Sequence, residues 1–304
     1  MAQKLLTLGR FNVIIWGTGR YSKTSLSCAL KTKENNDIMV TDMLDTKKIA
    51  AFLSKKGTNV PKITYYPLTD STNERAKVYA TEHPSDTDAH VFIAEEQSAG
   101  RGRRGRSFVS KRGSGIFITV LIHPKEKGAD ATRVTAKAAV ALALAVERVC
   151  GVRTDIKWVN DIFLGGKKLA GILVEGSMAT DGNLPYIIVG MGTNVYKNAI
   201  SEEISHIATS IESEAGKRID RNVLAAEIIH ELLRVTEELS EEEAFFEYRS
   251  RSFVIGQEVT VMKLSGNYPA RVLDLNPDYS LLIEKENGET ESLFTGEVSL
   301  KINN

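Results

Sequence analysis

The feature that most constrains this chain is the run Gln97-Ser98-Ala99-Gly100-Arg101-Gly102-Arg103-Arg104-Gly105-Arg106-Ser107-Phe108, in which glycine alternates with four arginines. Apolar segments flank it, Val91-Phe92-Ile93-Ala94 before and Ile116 to Ile122 after, and both read as strands. Four guanidiniums held this close repel one another and cannot be buried unpaired. Glycine loosens the backbone and lets its N–H groups approach a ligand, so the empty loop is expected to be mobile and to take an anion.

Composition makes that basic loop a local feature. Lys plus Arg and Asp plus Glu each number 39 in the 304 residues, so no net charge recruits nucleic acid or anionic lipid. Cys28 and Cys150 have no C-x-x-C spacing, which argues against a disulfide framework or zinc knuckle and for a reducing cytoplasm. His83, His90, His123, His206 and His230 include no pair at ligand spacing, so no transition-metal site is expected. The apolar stretch Ala138 to Val146 is too short to span a bilayer, and the N-terminus lacks a signal-peptide pattern.

Residues 1–42 form a short N-terminal segment of unassigned role. Phe11 to Trp16 reads as a strand, and Gly17-Thr18-Gly19-Arg20-Tyr21-Ser22-Lys23-Thr24 departs from a phosphate-binding loop at Ser22, so it reads as a turn before a short helix. From Leu44 the pattern firms. Asp45 caps a helix with Ile49, Phe52 and Leu53 on one face, ending at Gly57. A strand follows at Ile63 to Tyr66. The turn Asp70-Ser71-Thr72-Asn73 supplies either a cap for the next helix or hydrogen bonds to a polar ligand.

Thr132 to Val149 is an Ala-rich helix. Ile156 to Leu164 is an apolar run broken by polar groups, Gly165-Gly166 signals a hairpin, and Lys167 to Glu175 is the return strand. Asp181-Gly182-Asn183 turns into a strand at Tyr186 to Asn194. Consecutive hairpins predict an antiparallel sheet rather than a doubly wound one. Helices at Asn222 to Leu239 and through Arg251 precede short alternating strands from Gly256 onward, which read as a small barrel.

Taken together, these segments resemble the biotin protein ligases. The resemblance rests on Asp70-Ser71-Thr72-Asn73, Gln97 through Arg106, Lys157-Trp158-x-Asn160-Asp161, Lys168-Leu169-Ala170-Gly171-Ile172-Leu173-Val174-Glu175 and Gly190-x-Gly192-x-Asn194, in the family's order. It implies an α+β fold: a mixed, largely antiparallel central sheet with packed helices, of the class II synthetase-like kind, followed by a small SH3-like β-barrel. The expected division is residues 43–253 for the catalytic domain and 254–304 for the barrel. The implied activity is ATP-dependent activation of biotin to biotinyl-AMP, then transfer to a lysine of a carboxylase's biotin carboxyl carrier domain.

The resemblance also carries expected roles for residues. Ser71, Thr72, Asn73 and Gln97 would hold the biotin head group. Gly100, Arg101 and Arg103 belong to the loop that closes over biotin and its adenylate. Lys168 stands near the biotin carboxylate and α-phosphate, and Gly171 and Gly190 mark pocket positions where a side chain would collide. For ATP the residues are Arg103, Arg106, Phe108, Asn160, Lys168, Asn194 and Lys301, with Mg²⁺ bound alongside the nucleotide near Asn194. Phe108 replaces a frequent Trp, Val159 a frequent Pro and Lys301 an Arg, which turns a planar fork into a point charge.

The chemistry agrees with those residue types. A biotin carboxylate is ionised at neutral pH and needs no base, but an anion attacking a polyanion needs cations, here Arg101, Arg103 and Lys168. The loop would order only when its ligands neutralise it. Transfer needs a neutral amine, and Asp161 is the candidate base, with the equal alternative that it fixes the sheet or orients Lys168. Arg104 and Arg106 would tether the closed loop. Lipoate ligase is the nearest rival, disfavoured because a cyclic urea wants the hydrogen-bond partners that Ser71, Thr72 and Gln97 supply. A Gly-Arg nucleic-acid binder is remote for a neutral chain. A bifunctional repressor needs a winged helix that residues 1–42 do not show, so specific DNA binding is not expected. A homodimer is compatible with the sequence.

Overall fold

The computed structural model describes residues 43–124, 130–176, 185–263, 266–294 and 296–300, and the backbone of two strands near the N-terminus. Those strands, β1 (Lys4–Leu8) and β2 (Phe11–Ile15), pair antiparallel within a compact unit spanning Met1–Asp42. The Gly17 to Thr24 turn, the Asp181 to Asn183 turn and Lys301 lie outside the described residues.

Residues Met43–Asn304 form the second unit. Helix α1 (Thr46–Lys55) starts where the Asp45 carboxylate accepts the Lys47 and Lys48 N–H groups, and it buries Ile49 and Leu53. Strand β3 (Lys62–Tyr66) leads to helix α2 (Thr72–Glu82), and β4 (His90–Ala94) is buried along its whole length. Strand β5 (Gly115–Ile122) precedes the long helix α3 (Ala131–Cys150), capped by Asp130 and stopped by Gly151 at φ 70°.

The predicted broken run resolves into two short strands, β6 (Asp155–Lys157) and β7 (Asp161–Leu164), folded on each other around Trp158 to Asn160. The Trp158–Val159 peptide in that turn is cis. Gly165 and Gly166 then turn the chain at φ 58° and 76° into β8 (Lys167–Gly176), and β9 (Ile187–Asn194) follows. A short helix absent from the sequence reading, α4 (Ile211–Ala215), precedes α5 (Arg221–Glu237) and α6 (Glu241–Arg251). Ser240 and Glu243 close a reciprocal capping box at the start of α6, which explains the acidic run there.

The central sheet has seven strands in the order β3-β4-β5-β9-β8-β7-β6. Only β3 and β4 run parallel; every other neighbouring pair is antiparallel. Its two faces are unequal because strand residues alternate sides. Val91 and Ile93 join the main core with α3 and α5, whereas Phe92, Leu121 and Ile188 form a small cluster with Ala76 and Ala80 of α2. The helix-poor face beside α2 is where a cleft can open.

The last strands, β10 (Glu258–Lys263), β11 (Gly266–Leu275), β12 (Leu281–Lys285), β13 (Thr290–Leu293) and β14 (Glu297–Leu300), form an antiparallel sheet in the order β13-β12-β11-β10-β14. This second sheet fits the expected SH3-like arrangement. Trp158 ties it to the rest: the indole N–H donates to the Tyr279 carbonyl at 2.8 Å.

Candidate active site

A cleft opens on the α2 face of the central sheet, and three groups of residues line it. The first is polar and sits at the start of α2. Ser71 holds the N-cap position with extended backbone, but its hydroxyl does not cap the helix. Gln97 does this instead: its Oε1 accepts the Thr72 N–H at 2.8 Å and the Thr72 hydroxyl at 3.1 Å, while its Nε2 donates to Ser110 Oγ. Of the two readings of the Asp70 to Asn73 turn, a side-chain cap from Ser71 is not formed. Asp70 takes the Ser71 N–H at 2.6 Å, so the Ser71 hydroxyl keeps no hydrogen bond among the described residues although the residue is 3% exposed. Such a group is available to a ligand.

Asn73, by contrast, is committed to the protein. Its Nδ2 donates to Glu175 Oε2 at 2.8 Å, and its Oδ1 accepts from the Thr119 hydroxyl at 2.6 Å. Gly190 lies directly across, where a Cβ would stand 2.1 Å from Asn73 Oδ1. The collision expected at Gly190 is real, and Asn73 is what a side chain would strike. At Gly171 a Cβ would meet Lys168 Cε and Nζ at 3.5 Å, an ordinary contact within the protein.

The second group is the arginine segment, which folds as a tight hairpin. Phe108 N–H donates to Gly100 O at 2.9 Å, Gly102 N–H to Arg106 O at 2.7 Å, and the tip turns through Arg104 and Gly105 at φ 54° and 73°. Gly100 lies at the base of this hairpin outside the cleft lining, where a Cβ would sit 2.3 Å from Phe108 O. The ring of Phe108 lies over Gly192, 2.7 Å from where a Cβ would be.

The guanidiniums do not stand unpaired. Arg101 pairs with Glu74 and, at 3.4 Å, with Glu175. Arg103 donates to Asn160 Oδ1 at 3.0 Å and to Gly296 O at 3.3 Å. Arg104 donates to Met262 O at 3.3 Å, and Arg106 grips both oxygens of Glu297 at 2.8 and 2.9 Å. The carboxylates come from α2, β8 and β14, far from the loop in sequence, so local composition could not reveal them. Burial, then the neighbouring Arg104 charge, lowers the pKa of Arg103 below the usual arginine value.

The third group comes from the β6–β7 hairpin and β8. Lys168 Nζ lies 2.7 Å from Asp161 Oδ1, and Asn160 Nδ2 donates to Ile172 O at 2.9 Å. Lys157, absent from the expected site residues, also lines the cleft. It makes no hydrogen bond or ion pair among the described residues, its Nζ lies 5.8 Å from the Phe163 ring centre, and burial lowers its pKa. Its place in the Lys157-Trp158 segment was the available signal. Asn194 falls outside the cleft lining; it is buried and its Nδ2 donates to Thr209 O at 3.2 Å. Glu297 was also missed, since nothing in a terminal strand announces a partner 191 residues away.

This arrangement places a polar cradle, a row of cations and an adjustable glycine floor in one groove. Comparisons with known proteins give the family. The sequence profile of the biotin/lipoate A/B protein ligase family matches residues 65–194. The Bacillus subtilis protein named bifunctional ligase/repressor BirA is 30% identical over 253 residues, covering 78% of this chain and 74% of that one. The biotin–[acetyl-CoA-carboxylase] ligase of Mycobacterium tuberculosis is 29% identical over 261 residues, 84% of this chain and 95% of its own. Among solved structures, the Aquifex aeolicus biotin protein ligase in complex with biotin and ATP aligns with a TM-score of 0.65 and 28% identity over 79% of this chain and 98% of its own. The cleft, the folds on either side of it and these likenesses identify the chain as a member of the biotin/lipoate A/B protein ligase family.

Proposed function

We propose that the protein is a biotin protein ligase, joining biotin to ATP as biotinyl-AMP and passing the biotinyl group to one lysine of a biotin carboxyl carrier domain. The observation that carries this reading is the meeting of the Gln97–Thr72–Ser71 cradle with Arg101, Arg103 and Lys168 in one cleft. The division into a catalytic domain at 43–253 and an SH3-like barrel at 254–304 belongs to the same reading, as does a cytoplasmic setting where ATP and carrier proteins meet.

In the first step a biotin carboxylate oxygen forms a bond to the α-phosphorus while the bond to the bridging oxygen breaks and pyrophosphate leaves. The Ser71 hydroxyl and the Gln97–Thr72 pair orient the urea; Gly190 leaves room for the ring system. Arg103 and Lys168 offset repulsion between the two anions, and Lys157, without a hydrogen bond or ion pair among the described residues, takes charge developing on the leaving phosphates. Biotin's carboxylate can displace Glu74 or Glu175 from Arg101. Phe108 offers a ring face to adenine.

Among the described residues no three His, Cys, Asp or Glu side chains gather as metal ligands. Mg²⁺ would come with the nucleotide phosphates.

In the second step the neutral carrier amine attacks the anhydride carbon, the bond to the AMP oxygen breaks, AMP leaves, and the amine's proton passes to the departing phosphate or to water. We assign Asp161 to orienting Lys168, on the strength of their 2.7 Å ion pair. Biotin-dependent labelling of an acceptor carrier domain, with lipoate as competitor, tests the reading: one biotinyl group on one lysine, undiminished by lipoate, is expected. Labelling by lipoate in place of biotin would move the protein to the other branch of its family.

A further inference from the structure

Among the described residues, two other than glycine hold φ in the left-handed region: Arg104 at 54° and Tyr279 at 64°. Arg104 forms the tip of the arginine hairpin. Tyr279 lies in the turn between β11 and β12, outside the cleft lining. For a bulky side chain this conformation is disfavoured and persists only where the surroundings over-determine it.

The surroundings of Tyr279 do so. The residue is 0% exposed, and its ring meets Phe245 and Tyr248 of α6 edge-on, with centres 5.6 and 5.4 Å apart. Its N–H donates to Asn276 O at 2.8 Å, and Asp278 closes the turn by accepting the Ser280 N–H and hydroxyl. Its hydroxyl is buried without a hydrogen-bond partner, so the position uses the ring and not the phenol. A glycine would satisfy this φ without strain; the aromatic ring is what this position adds.

What the turn holds is the β6–β7 hairpin. The Tyr279 carbonyl accepts the Trp158 indole N–H at 2.8 Å, and Tyr248, packed on the same ring, donates its hydroxyl to Val159 O at 3.1 Å. The next two residues are Asn160, which holds Arg103, and Asp161, which holds Lys168. We infer that Tyr279 is a positioning residue for adenylate formation: its ring and carbonyl fix Trp158, and through it the Asn160–Arg103 and Asp161–Lys168 contacts. This rests on the ligase reading. It separates the two ends of the cleft, since Ser71, Thr72 and Gln97 stand on elements that the β11–β12 turn does not touch.

The test compares the full chain with its Tyr279→Phe and Tyr279→Gly variants in biotinyl-AMP formation, measuring kcat and the KM for biotin. Tyr279→Phe keeps the ring and is expected within about twofold of the unmodified protein, because the lost hydroxyl has no partner. Tyr279→Gly is expected to lose roughly tenfold to a hundredfold in kcat through misplaced cations, with the biotin KM nearly unchanged. Unchanged kcat in Tyr279→Gly would overturn the inference, as would a biotin KM that rises in step with the loss of kcat. If Tyr279→Gly does not fold, Trp158→Phe removes the linking N–H together with part of the buried indole ring: lowered kcat at constant biotin KM is expected, and wild-type kcat overturns the inference. An unmodified protein that forms no biotinyl-AMP refutes the ligase reading instead.

Discussion

At Asp161 the carboxylate sits 2.7 Å from the Lys168 ammonium, an ion pair that suits it to orienting the lysine. Asp161→Asn is accordingly expected to slow biotinyl-AMP formation about tenfold while leaving the pH dependence of transfer from preformed biotinyl-AMP unchanged. Single-turnover kinetics of the two half-reactions decide this; a transfer step that loses its acid limb would restore Asp161 as the base. At Gly190 the neighbour is fixed rather than flexible, because Asn73 is 5% exposed and bonded to both Thr119 and Glu175. Gly190→Ala should cost about 1–3 kcal/mol of stability by overpacking and raise the biotin KM, read by denaturant titration and steady-state kinetics. An alanine variant of native stability and KM would show that Asn73 can give way. At this scale the sequence displayed residue types and not partners. Arg106 and Gln97 were visible as a cation and an amide, but Glu297 and the bare N-terminus of α2 that engage them are set by tertiary contact. Asn194 was visible by motif, yet its amide is turned to Thr209 O.

Elements were more legible, because hydrophobic period and turn chemistry act locally. The helix capped by Asp45 and the Gly165–Gly166 hairpin appear where those signals stand. Two things resisted. The five-residue helix α4 is too short to show a period, and β3 pairs parallel to β4, which no local pattern encodes. The buried pair Glu95–Arg221, 2.5 Å apart and joining β4's end to the start of α5, is likewise invisible in sequence. Strand β4 also opens on His90, which is 2% exposed, stacks on Phe92 and bonds Thr64 through Nε2 at 2.8 Å. Burial first, then the Lys62 charge, pushes its pKa down to about 4. The folded state resists the proton that the unfolded chain accepts near its ordinary value. The contribution of His90 is therefore full above about pH 6.5 and is lost as pH falls toward 4, about 3 kcal/mol in all. Denaturant titrations of the protein and of His90→Phe across that window should differ in slope, the variant being flatter; parallel losses would contradict the assignment.

On the scale of the whole molecule, the second sheet is part of the cleft rather than an appendage. It supplies Glu297 and the Gly296 and Met262 carbonyls to the arginine hairpin, and Tyr279 to Trp158. Both contact sets converge on cations of the cleft, and the polar cradle at α2 meets the same cations through Glu74 and through Glu175, which accepts from Asn73 and pairs with Arg101. The most direct test of the account is incubation of the full chain with biotin, Mg-ATP and an acceptor carrier domain, followed by mass spectrometry of the acceptor. The account predicts a single biotinyl addition on one lysine that requires both biotin and ATP; an unmodified acceptor, or an addition that forms without ATP, would contradict it.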